Sequence, residues 1–165
     1  LTKLEAMTNK FILIDTCFLI YMLDSNSPYH NEAIKYFEHF VAQDYFFYIS
    51  TIAIGEYCVK DNVNNIPLVY LLPLPFNYEH SVEAGVFQRY LMGENRIEDI
   101  KRNVIKNDVM MFAQANVEPS VSIFLTADTN ARKMFAKIKE HITPCFQFVS
   151  IHEQTASQYF NEIDF

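Results

Sequence analysis

The sequence predicts an α/β fold built around a mostly parallel sheet. Short apolar runs rich in β-branched and aromatic residues alternate with stretches of helical periodicity, the pattern of strand–helix–strand units. Two of those runs also end on or just before an aspartate, as expected where buried strands open into a crevice at their carboxyl ends.

The elements follow in order. Phe11-Ile-Leu-Ile14 is a strand apolar on both faces, closed by Asp15. After Pro28, residues Tyr29 to Gln43 set Ala33, Ile34, Phe37, Phe40 and Val41 at helical spacing. Tyr45 to Ile49 is a second strand, with Ser50 and Thr51 as caps for a helix over Ile52 to Val59. Leu71 to Phe76, bounded by prolines, reads as an edge strand. Glu79 to Leu91 reads as helix, with Gly93 ending it, and Ile97 to Ala115 as largely helical with a break near Asn103 or Asn107. Val121 to Leu125 is the clearest later strand, followed by a helix from Thr129 to Lys139. Phe146 to Val149 closes the sheet.

At 165 residues, half of them hydrophobic and a fifth charged, the chain fits one domain with a sizeable core. We place that domain at residues 7–150. Leu1 to Ala6, ahead of Met7, are expected to be a cloning remnant, and residues 151–165 a tail with a short helix. Residues 1–10 lack the apolar stretch of a secretory signal, and no apolar run is long enough to span a bilayer, so a cytoplasmic protein is expected. Three glycines exclude a glycine-rich phosphate loop. Cys17, Cys58 and Cys145 are odd in number and widely spaced, which supports neither a disulfide framework nor a zinc site. The five histidines show no ligand spacing, and the aromatic residues from Tyr29 to Tyr48 read as core.

A net charge of −7 argues against binding nucleic acid by bulk charge. Eight of the thirteen bases nonetheless fall in two short segments. Arg96, Lys101, Arg102 and Lys106 precede Asp108; Arg132, Lys133, Lys137 and Lys139 follow Asp128. They read as solvated helix faces, with a basic rim around an acidic pocket as the functional alternative.

Four acids stand where core residues would be expected. Asp15 and Asp128 close strands, and each could instead cap the following helix. Glu56 has Ile52, Ala53 and Val59 as helical neighbours. Asp108 has Val104, Ile105, Met111 and Phe112. A structural ion pair for Glu56, and an N-cap at Asn107 or Asp108, are the alternatives there. Converging carboxylates repel one another unless a cation compensates, and an all-oxygen set favours Mg²⁺ or Mn²⁺. Such an ion, holding a water and neutralising a phosphate oxygen, supports phosphodiester hydrolysis.

With these residues in order, the chain resembles the PIN-domain nucleases. The matching segments are Ile12-Leu-Ile-Asp15-Thr16, Ile49-Ser-Thr-Ile-Ala-Ile-Gly-Glu56-Tyr57, Ile105-Lys-Asn-Asp108-Val-Met-Met-Phe-Ala113-Gln-Ala115 and Phe124-Leu-Thr-Ala-Asp128. The resemblance implies a three-layer α/β/α sandwich and a Mg²⁺- or Mn²⁺-dependent endoribonuclease. It also implies that the protein is often the toxin of a toxin–antitoxin pair and often a homodimer. By position, Asp15, Glu56, Asp108 and Asp128 would be the catalytic, metal-binding acids. Thr126 would be a supporting polar group, and Thr16 would orient Asp15. Two positions depart from the pattern: Cys17 stands where a small polar residue is common, and Asn130 where some members carry a further acid. The alternatives are a non-catalytic PIN-like module binding RNA or protein, and a metal-dependent phosphohydrolase of small esters. Asp15-Thr16-Cys17 lacks the D-x-D pattern of aspartyl-phosphate enzymes.

Overall fold

A computed structural model of the chain describes residues 10–92 and 106–161. Its centre is a sheet of five strands, β1 (Phe11–Ile14), β2 (Phe46–Ser50), β3 (Leu71–Leu74), β4 (Val121–Thr126) and β5 (Gln147–Ser150). The spatial order is β3-β2-β1-β4-β5 and every neighbouring pair is parallel. The apolar run of β1 is explained by its central place: Ile12, Leu13 and Ile14 are fully buried. Pro73 lies in β3 at the sheet edge, where its missing N–H costs no ladder bond on the open side.

Seven α-helices surround the sheet among the described residues: α1 (Thr16–Leu23), α2 (His30–Ala42), α3 (Thr51–Tyr57), α4 (Tyr78–Met92), α5 (Asn107–Val117), α6 (Thr129–Lys139) and α7 (Ala156–Asn161). They form two packed groups. In one, α2 packs against both α1 and α7; in the other, α4, α5 and α6 pack together. Helix α3 touches α1 of the first group and α5 of the second. The three-layer α/β/α arrangement expected from the sequence is the one observed. None of these helices is long and apolar enough to cross a membrane.

The core has an aromatic cluster in each group. Phe112 meets Phe124 edge-on at 4.9 Å between ring centroids, and Phe135 stacks on Phe148 at 4.6 Å. In the other group Phe40 packs edge-on against Phe160 at 4.9 Å, and Tyr36 donates its hydroxyl to the Gln154 carbonyl at 2.9 Å. Phe160 and Tyr159 of α7 are buried, so the core draws on residues past 150.

The helix foreseen over Ile97 to Ala115 with a break near Asn103 or Asn107 is described from Asn107, which follows non-helical Lys106; its earlier part, with Asn103 and the stop at Gly93, lies outside the described residues. One sequence reading changes. The helix foreseen to reach Val59 ends at Tyr57. Val59 is four-fifths exposed and does not share an apolar stripe with Glu56.

The start of α4 is fixed by His80, which sequence spacing left without a role. Asn77 Oδ1 accepts from the His80 amide at 3.0 Å, while the Asn77 amide donates to His80 Nδ1 at 3.0 Å. This is a capping box closed by an imidazole instead of a carboxylate. With Nδ1 accepting, the ring proton sits on Nε2 and is donated to Glu118 just past α5, at 2.8 Å. His80→Ala, which removes the imidazole from both bonds, is expected to cost about 1–2 kcal/mol, read as a lower denaturant midpoint at unchanged slope.

Candidate active site

The chain runs from β1 outward to β2 and β3, then returns to the other side of β1 as β4 and β5. Strand order therefore reverses between β1 and β4, which opens a crevice at their carboxyl ends. The two strand-closing aspartates flank it. Asp15 follows β1, its amide donating to the Leu125 carbonyl of β4 at 3.1 Å, and Asp128 follows β4 two residues on.

Asp15 is 1% exposed. One oxygen, Oδ1, accepts from the Phe18 amide at 2.7 Å, so the residue does cap α1. The other, Oδ2, accepts the Thr126 hydroxyl, whose own oxygen accepts from the Asp128 amide at 2.9 Å. Burial raises the Asp15 carboxyl to about 7. The bonds from Thr126 and the Phe18 amide oppose that rise, and the nearby Asp108 adds to it. Asp128 caps α6, accepting from the Asn130 amide at 2.7 Å. Both strand-end acids are thus caps, and each remains at the crevice as well. A cap uses one carboxylate oxygen and leaves lone pairs over.

Glu56 lies in the last turn of α3 and is half-buried. Its Oε2 accepts the Thr16 hydroxyl and its Oε1 accepts from Asn107 Nδ2 at 2.6 Å. Here the structure corrects the sequence. Thr16 holds Glu56, not Asp15, because the first residue of α1 turns its hydroxyl across to α3; Thr126 is the residue that orients Asp15. Asn107 is a site residue that sequence reasoning passed over except as a cap. Its position directly before Asp108 was the available signal.

Asp108 occupies the first turn of α5, so the mid-helix setting inferred from its spacing does not hold. The N-cap is Lys106, with no side-chain capping bond. Met111 and Phe112 are buried on its own face, whereas Val104 and Ile105 lie outside the described residues. The Asp108 carboxyl is raised to about 6, by burial first, then by Asp128 and Glu56, against an opposing pull from Lys106. It accepts no hydrogen bond among the described residues.

Cys17 ties the four acids together. Its thiol is pushed up to about 12 by burial, and then by Asp15, Asp128, Asp108 and Glu56 in turn. All four carboxylates therefore lie within electrostatic reach of one point. A thiol in this surrounding stays protonated, which excludes Cys17 as a nucleophile near neutral pH.

None of the four acids forms an ion pair among the described residues, where the ion pair between permanently charged groups is Arg132–Glu153. The structural ion pair considered for Glu56 is thus absent there, and neutral donors from Thr16 and Asn107 take its place. No three acidic, histidine or cysteine side chains of the described residues are gathered closely enough to hold one ion together. That spacing still suits Mg²⁺, which typically takes one or two carboxylates and completes its shell with water. One buried and three partly buried carboxylates, none paired with a base among the described residues, make an all-oxygen donor set of the kind such an ion takes.

No family model and no curated protein matches the chain. Solved structures do. VapBC2 from Rickettsia felis, bound to a DNA fragment from its promoter, is 17% identical, covers 85% of this chain and 98% of its own, and has a TM-score of 0.59. DNA-bound VapBC from Salmonella typhimurium is 16% identical, with 86% and 98% covered and a TM-score of 0.55. Mycobacterium tuberculosis VapC20, described as a Sarcin-Ricin loop cleaving toxin, is 13% identical, with 74% and 93% covered and a TM-score of 0.50. At these identities the likeness is one of fold, and the chain has the PIN-like fold that its sequence resemblance implied.

Proposed function

We propose that the protein is a divalent-metal-dependent endoribonuclease whose metal-binding and catalytic acids are Asp15, Glu56, Asp108 and Asp128. The observation that carries the reading is electrostatic. Four carboxylates from four chain segments act on one another at the strand-order reversal, and no basic side chain pairs with any of them among the described residues. Like charges assembled at that cost imply a cation and a substrate that supply the opposite charge. The likeness to VapC20, a toxin that cleaves the Sarcin-Ricin loop, supports RNA as the substrate.

Mg²⁺ or Mn²⁺, held directly by one or two of the acids, would supply Lewis-acid stabilisation of the phosphate charge. The chain's own residues do the rest. Thr126 fixes the Asp15 carboxylate, and Thr16 with Asn107 fixes that of Glu56, so neither acid reorients when substrate enters. Asp108, with no hydrogen bond on its oxygens among the described residues, accepts a proton from the attacking water. The water oxygen bonds to phosphorus, the bond from phosphorus to the leaving ribose oxygen breaks, that oxygen takes a proton from solvent, and Asp108 returns its proton to solvent.

The reading extends to a protein antitoxin as partner, since two of the structural neighbours are VapBC assemblies, and, from the sequence resemblance alone, to a homodimer as the working state. Its test is cleavage of a mixed RNA pool by purified protein with Mn²⁺ and with chelator. Cleavage that requires the ion and falls at least about 100-fold in Asp108→Asn, at a melting temperature no lower than wild type, is the expected result. Intact RNA under every metal condition, or an Asp108→Asn variant that cuts normally, would overturn it.

A further inference from the structure

Residues of α4 and α6, with Lys106 just ahead of α5, line an open hollow of about 270 Å³: Gln88, Leu91, Lys106, Lys133, Met134 and Lys137. Three lysines from two separate segments converge on it, and among the described residues no carboxylate lines it. None of the three lysines is in an ion pair among the described residues. In a chain of net charge −7 this is a local reversal of sign. Leu91 and Met134 give the hollow an apolar wall, which weakens solvent screening of the ammonium groups. The hollow also adjoins the acids: Lys106 is two residues from Asp108 and pulls on its carboxyl, and Lys133 is one turn into the helix that Asp128 caps.

We propose that this hollow binds a backbone phosphate of the RNA strand beside the one being cleaved, with Lys106, Lys133 and Lys137 as its ligands. The inference rests on the endoribonuclease reading. It answers a difficulty that reading creates, because four carboxylates repel a polyanion. A cation at the acids offsets that repulsion for the scissile phosphate only, and the next phosphate needs its own positive charge. The lysines that flank the acids in sequence supply it. The sequence alternative of a basic rim thereby becomes a defined place, with Lys106 from the first basic segment and Lys133 and Lys137 from the second. Arg132 is turned elsewhere, paired with Glu153 at 2.5 Å.

The test is binding of a labelled single-stranded RNA oligonucleotide to the full chain by fluorescence anisotropy, in chelator, over a series of KCl concentrations. For a single strand, each phosphate that the protein no longer neutralises lowers the slope of log K against log salt by about 0.7, so Lys133→Gln/Lys137→Gln, which empties the hollow of its one phosphate, is expected to lower it by about 0.7. Lys10→Gln/Lys35→Gln removes the same charge from elsewhere on the surface and is expected to keep the wild-type slope. An unchanged slope in the first variant, or an equal loss in both, overturns the proposal. So does a loss of inorganic-phosphate binding by calorimetry with no change toward RNA, which would make the hollow a site for free anions. Failure of the parent reading is separable. A wild type that cuts RNA while the Lys133/Lys137 variant keeps its slope and its KM refutes only the hollow. A wild type that neither binds nor cuts RNA refutes both.

Discussion

Asp15→Asn is expected to abolish metal-dependent RNA cleavage while making the metal-free protein more stable at pH 8. The two effects have one cause. Asp15 is fully buried between β1 and β4 and its carboxyl is raised to about 7, so at pH 8 the fold holds a desolvated negative charge beside three other acids. Asparagine removes the charge and keeps the shape. Its carbonyl oxygen still accepts from the Phe18 amide, which preserves the α1 cap, and the Thr126 hydroxyl can turn to accept from the new amide. A displacement from 3.8 to about 7 corresponds to about 4 kcal/mol at about 1.4 kcal/mol per unit. For a domain of this size that is a rise on the order of 10 °C in Tm, at roughly 2–4 °C per kcal/mol. Asp15→Ala is the control, because it loses the cap as well as the charge and so falls below Asp15→Asn by about 1 kcal/mol. Calorimetric melting in chelator, paired with single-turnover cleavage in Mn²⁺, reads both effects. An Asp15→Asn protein that melts lower and cuts less in proportion to its unfolded fraction would make Asp15 a structural cap and nothing more.

The parts of this site that were legible in the sequence are those in which a charge interrupts an apolar pattern. Asp15 after Phe11-Ile-Leu-Ile14 and Asp128 after Val121 to Thr126 break strands that are buried on both faces, and a buried strand reads as a plain apolar run. The helix over Thr129–Lys139 falls where its amphipathic spacing put it, because its polar face meets water. Helix α1 is nearly uniform in hydrophobicity, so it offered no period from which to read its extent. What stayed hidden were pairings between elements far apart in the chain. The Thr16–Glu56 and Asn107–Glu56 bonds span 40 and 51 residues. No local spacing encodes such pairings; they exist only once α3 is wedged between α1 and α5. The same holds for Phe160, an aromatic near the chain end whose burial against Phe40 depends on α7 folding back.

Without metal, stability is expected to fall as pH rises from about 4 to about 7, and with millimolar Mn²⁺ that fall is expected to shrink or reverse. Asp15 and Asp108 both have folded-state values above their unfolded value of 3.8, near 7 and near 6. Across that window the native state holds more protons than the unfolded chain, so raising the pH favours unfolding. The loss is complete once the pH passes the higher folded value, and stability is flat above it. A bound ion inverts the dependence, since its ligands must be deprotonated and binding therefore strengthens as protons leave. At an ion concentration 100 times its dissociation constant the native state gains about 2.7 kcal/mol. That gain is small at pH 5, where the carboxyls hold their protons, and full at pH 8. Melting curves with chelator and with Mn²⁺ should thus start close together and diverge with pH. In Asp15→Asn/Asp128→Asn the divergence should vanish. Parallel curves at every pH in the wild type would mean that the acids bind no ion, and that their raised carboxyls serve only the two helix caps and the hydrogen bonds around them.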